Sequence, residues 1–62
     1  MMFHVFQIRG VDRHQVGHYP ERSQAEGHFV RAVEVGYEGD IIELVSEGVI
    51  VSRHVIEREE AV

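Results

Sequence analysis

Two segments near the carboxyl end carry apolar residues at period two: Asp40 to Ser46 (DIIELVS) and Val49 to Glu57 (VIVSRHVIE). Only Glu47-Gly48 separates them, which is the length and chemistry of a two-residue hairpin loop. That loop fixes a register in which Ser46 pairs with Val49, Leu44 with Val51 and Ile42 with Arg53. Alternation then predicts Ile42, Leu44, Val49, Val51 and Val55 on one face. The other face carries Ile41, Val45, Ile50 and Ile56, interrupted by Glu43, Ser52 and His54. A hairpin that is apolar on both sides needs cover on both sides, and this constrains the rest of the chain.

The sequence offers one helix to provide that cover. Ser23-Gln24-Ala25-Glu26 matches a capping box and predicts a helix from Gln24. Ala25, Phe29, Ala32 and Val33 form its apolar stripe, with Glu26, Arg31 and Glu34 facing away. Gly36 fits a left-handed terminator. Gly27, inside the helix, costs about 1 kcal/mol relative to alanine and marks either a close approach to the sheet or a weaker helix.

Toward the amino end, Phe3 to Arg9 reads as a strand, with Phe6 and Ile8 on one side and Phe3 and Val5 on the other. Turn chemistry follows at Gly10 to Arg13. His14 to Tyr19 returns as a short edge strand or an ordered loop, weakened by Gly17 and ended by Pro20. The fold class is therefore α+β: a small antiparallel or mixed sheet with one helix on one face, in the order β-β-α-β-β, or β-α-β-β if residues 14–19 form a loop. Residues 1–57 make a single domain, and Arg58 to Val62 a charged tail that frays.

A lone helix leaves the second sheet face bare. A chain of 62 residues buries only about 60% of its unfolded surface, and this one has no cysteine with which to staple a small core. Association with another chain, most simply a second copy, is the expected remedy. No apolar run is long enough for a membrane span and the amino end lacks a signal-peptide layout, so a cytoplasmic location is expected.

Acidic residues outnumber basic ones eleven to six, for a formal charge of -5, which disfavours direct binding to nucleic acid or an anionic membrane. The excess is concentrated. Between Ala32 and Ser52 lie Glu34, Glu38, Asp40, Glu43 and Glu47 with no cation among them. Carboxylates along a rigid edge imitate a phosphate backbone, so these five are the candidate partner-binding residues. Ile41, Val45, Ile50 and Ile56 are the candidate apolar association face.

Catalytic and metal constellations are thin. His14-x-x-x-His18 beside Asp12 invites a metal, but Gly17 and Pro20 oppose a helix, and along a strand the two histidines stand about 13 Å apart. No metal or cofactor is expected. Arg9, His14, His18, Tyr19 and Glu21 are the best available set for metal-free RNA cleavage, with histidine or glutamate as base. An acidic chain is poorly matched to that substrate.

The resulting expectation is a non-enzymatic binding protein whose acidic residues mask a basic nucleic-acid-binding surface on a partner protein. In size, charge and lack of a catalytic motif the chain resembles the small acidic inhibitors of phages and mobile elements, including anti-CRISPR proteins. The alternatives are a homodimeric structural or adaptor module and a small metal-independent ribonuclease.

Overall fold

A computed structural model describes residues 1–57, and the tail expected over 58–62 lies outside them. The described residues form β1 (Phe3–Arg9), β2 (Asp12–Tyr19), α1 (Arg22–Val35), β3 (Ile41–Ser46) and β4 (Val49–Val55). The strands make one sheet in the order β2-β1-β3-β4, with every neighbouring pair antiparallel. This is the β-β-α-β-β arrangement, with residues 14–19 in a strand.

Both hairpin turns follow from local backbone chemistry. Glu47 and Gly48 adopt positive φ (51° and 77°), the conformation that a two-residue turn needs to match strand twist. Gly10 does the same at the first position of the β1–β2 turn (φ 61°), which lets β2 begin at Asp12, two residues earlier than its sequence suggests.

Helix α1 starts at Arg22, two residues before the capping box predicts. Glu21 is its N-cap, and among the described residues no side chain caps it. Glu26, which the box requires to reach back to Ser23, instead pairs with Arg22 at 3.3 Å, one turn earlier. The Gly36 expectation also changes. Its backbone is extended (φ -71°, ψ 166°), so left-handed freedom is not its purpose. A β-carbon there would collide with Ile56 Cδ1 and approach the Ala32 carbonyl to 2.9 Å, so the site requires glycine for space.

The helix buries Ala25 against Val5, Ile42, Leu44 and Ile56, with Phe3, Tyr19, Phe29, Ala32, Val33 and Val51 packed around them. Ile56 belongs to this core, with 3% exposure, and not to the opposite sheet face. A bulge explains the correction. Leu44 pairs with Ser52 and Val45 with Ile50, so Val51 is an extra residue in β4. One inserted residue exchanges the faces of everything beyond it. Val55 consequently pairs with Ile41 on the open face, while Ile56 turns under the helix and donates its amide to the Asp40 carbonyl at 2.8 Å.

Gly27 is exposed, and a β-carbon there would meet nothing within 4 Å. Its cost is therefore one of local helix stability alone. Gly27→Ala is expected to stabilise the fold by about 0.5–1 kcal/mol, read as a rise of several degrees in thermal melts; no change would mean that residue 27 is not helical in solution.

Candidate functional site: the open face of the sheet

With α1 on one side, no described element covers the other side of the sheet. Cross-strand register arranges that open face in three rows. His18, His4, Val45 and Ile50 form the first, Gln15, Phe6, Glu43 and Arg53 the second, and Arg13, Ile8, Ile41 and Val55 the third. Ile50 and Val55 are exposed and Phe6, Ile8 and Ile41 partly so, whereas Val45 is shielded by its neighbours. A shallow hollow of about 400 Å³ lies over the first two rows, bordered by His4, Phe6, Arg13 and Gln15.

A charged group crosses this apolar surface. Arg13 lies over the Phe6 ring, 3.8 Å from its centroid, and donates to Glu43 at 3.2 Å. Arg53 approaches the other Glu43 oxygen at 3.8 Å. Glu43 is 6% exposed, so this carboxylate is held between two half-exposed guanidiniums and does not project as free negative charge. The face as a whole carries a small cationic excess on an acidic protein.

Asp40 lies on the helix side, at the end of the sheet, and is 1% exposed. Arg9 donates to both of its oxygens at 2.9 Å, Gln7 Nε2 donates at 3.1 Å and the Tyr37 amide at 3.0 Å. Hydrogen bonds from Arg9 and then the Tyr37 amide hold its carboxyl well below the usual carboxylate range, against the opposing effect of burial. The same contact with Asp40 raises Arg9. Arg9 also stacks over Tyr37, 4.6 Å from the ring centroid.

The acidic residues of the 32–52 segment therefore do not line one edge. Asp40 and Glu43 are buried on opposite sides of the sheet. Glu34 and Glu38 are exposed near the helix end, with Glu34 3.9 Å from Arg31. Glu47 is exposed in the β3–β4 turn, a strand length away, or about 20 Å by the strand rise. Of the residues expected on the association face, Ile41, Val45 and Ile50 share the open face, and Ile56 does not.

The ribonuclease set is also dispersed. Arg9 is committed to Asp40, and Tyr19 Oη is bonded to His28 Nδ1 at 2.8 Å on the helix side. His14 and His18 take opposite faces, because Val16 is an extra residue between them: His14 pairs with Gln7, and His18 pairs with His4. Among the described residues no group of three or more His, Cys, Asp or Glu side chains is placed to hold a metal.

Two arrangements went unread in the sequence. One is the Arg13–Glu43–Arg53 group, which requires the strand order. The other is the His4–His18 pair. Counting outward from Gly10-Val11 without a bulge sets His4 opposite Gly17, so no signal short of the bulge itself reveals it.

Among the described residues no helix is long and apolar enough to cross a membrane. No protein-family model, curated protein or solved structure matches the chain.

Proposed function

We propose that this chain is a non-enzymatic, cytoplasmic binding module that works as a homodimer joined through the open face of its sheet. The observation that carries the reading is the apolar surface of Phe6, Ile8, Ile41, Val45, Ile50 and Val55, opposite a helix that reaches only the other side. Edge-to-edge pairing is the competing geometry, and the fold opposes it: both outer strands, β2 and β4, carry a bulge, which interrupts the ladder a second sheet would extend.

A second copy covers the face in register. A twofold axis parallel to the strands, midway between β1 and β3, stacks β1 of each copy on β3 of the other. Ile8 then meets Ile41, and each Arg13, lying across Phe6, enters the interface already paired with the Glu43 of its own chain. The acidic excess stays on the outer surfaces, where a basic partner protein is the chemistry that fits. Masking of a nucleic-acid site is the form of inhibition this surface would support.

Ile50 and Val55 are exposed, so charging them leaves the core intact. Ile50→Asp with Val55→Asp is expected to convert a dimer into a monomer of unchanged secondary structure, seen by light scattering and circular dichroism. Charge reversal at Glu34, Glu38 and Glu47 should leave the dimer in place while weakening a salt-sensitive basic partner. A wild-type chain that stays monomeric at about millimolar concentration would overturn the reading.

A further inference from the structure

We propose that His4 and His18 form a site for a divalent transition ion of the kind imidazole favours, such as zinc, with both ligands supplied by the β1–β2 hairpin. The two residues are direct cross-strand partners, a placement that sets β-carbons about 4.5–5.5 Å apart. Both rings lie on the open face, 6.3 Å between centroids with planes at 52°. An imidazole nitrogen binds zinc at about 2.0–2.1 Å, which puts the ring centre about 3.2 Å from the ion. Two rings on one tetrahedral ion therefore have centres about 5 Å apart. The observed spacing is about 1 Å wider, a gap that rotation of the exposed His18 side chain closes.

The surrounding contacts fit the same purpose. His4 Nδ1 is buried and has no hydrogen-bond partner among the described residues. An orphaned buried nitrogen is the kind of atom whose missing partner is an ion or a water. His18 Nδ1 lies 3.4 Å from the Gln15 amide nitrogen, which orients the ring and leaves Nε2 for the metal. When Nε2 coordinates, the ring proton resides on Nδ1 and the Gln15 amide turns its oxygen to accept it. The hollow beside His4 has room for the waters that complete the coordination shell. Arg13, which borders the same hollow, is paired with Glu43.

Two protein ligands make a labile site, whose occupancy follows the free-ion concentration. Both ligands come from one hairpin, so the site is complete in a single chain; a dimer joined through the open face would cover His4 and the hollow, so binding is read in dilute protein. His18, on edge strand β2, is reachable from the sheet edge.

The test is calorimetric titration of the full chain with zinc chloride in a non-coordinating buffer at about pH 7.5, with thermal melts at the same zinc concentrations. The expected result is saturable binding of one ion per chain and a zinc-dependent rise in melting temperature. His18→Gln, at an exposed position, should weaken binding by about tenfold or more while leaving the metal-free melt unchanged. His4→Gln should weaken it equally. His14→Gln and His54→Gln should not. No saturable binding up to about 1 mM zinc, or binding that survives His18→Gln, would overturn the proposal.

Discussion

Asp40→Asn is expected to lower the melting temperature by about 10 °C or more and to flatten the protein's loss of stability in acid. Asp40 joins three parts of the chain. Its carboxylate accepts from Gln7 and Arg9 at the end of β1 and from the Tyr37 amide in the α1–β3 loop, and its carbonyl accepts from Ile56 beyond β4. Asparagine has the same shape, but one of its oxygens becomes a donor, and each carboxylate oxygen here faces donors. One of those donors, the Tyr37 amide, cannot rotate away. The substitution therefore leaves buried polar groups opposed and Arg9 unneutralised, which destabilises more than removing both partners would.

The acid dependence follows from the direction of the shift. A carboxyl held below its ordinary value contributes stability that is fully present above its unfolded value near 3.9, and loses it as pH falls toward the folded value. Wild-type protein should therefore weaken progressively below about pH 5. The asparagine variant should be less stable near neutrality and flatter across the acid range. Urea midpoints measured from neutral to strongly acid pH give both quantities, and a variant whose curve parallels that of the wild type would show that Asp40 is not the group responsible.

Local chemistry was readable wherever short-range terms decide the structure. Glu47-Gly48 specified a hairpin turn, the Ala25, Phe29, Ala32 and Val33 spacing specified the helix, and Phe3 to Arg9 specified a strand. The errors fall where a distant contact outweighs a local pattern. Nothing in VIVSRHVIE marks Val51 as a bulge; the period-two pattern runs through it. The bulge places Ile56 under the helix, against Gly36, and that contact exists only after α1 has packed. Ser23 to Glu26 has the composition of a capping box, yet Arg22 offers Glu26 a nearer cation.

The site was legible in part for the same reason. Ile41, Val45 and Ile50 share a face because they lie on one hairpin whose alternation holds as far as the bulge. The acidic residues were read by sequence proximity, but charge in a fold is distributed by strand order. Glu43 meets Arg13 only because β2 and β1 lie beside β3, and Asp40 meets Arg9 for the same reason.

Leu44→Ala should destabilise the fold by about 2–5 kcal/mol, a large share of the roughly 3–9 kcal/mol that a chain of this size holds. Leu44 is fully buried beneath the helix at the centre of the core, where the loss of three carbons leaves a cavity that neighbouring β-strands cannot close. Thermal melts should show a variant that is largely unfolded or whose transition falls by more than 10 °C. Ile50→Ala, on the adjacent strand but the opposite face, provides the contrast. In a monomer, a half-exposed residue truncated to alanine changes stability by only about 0.5 kcal/mol. In a dimer joined through that face, the same change weakens association, so its effect grows or shrinks with protein concentration by mass action. The two variants thus separate the two sides of one hairpin: the melting deficit of Leu44→Ala should persist at every concentration, and that of Ile50→Ala should be small in dilute protein and grow with concentration until both proteins are dimeric. An Ile50→Ala deficit that is small and independent of concentration would place this face in water.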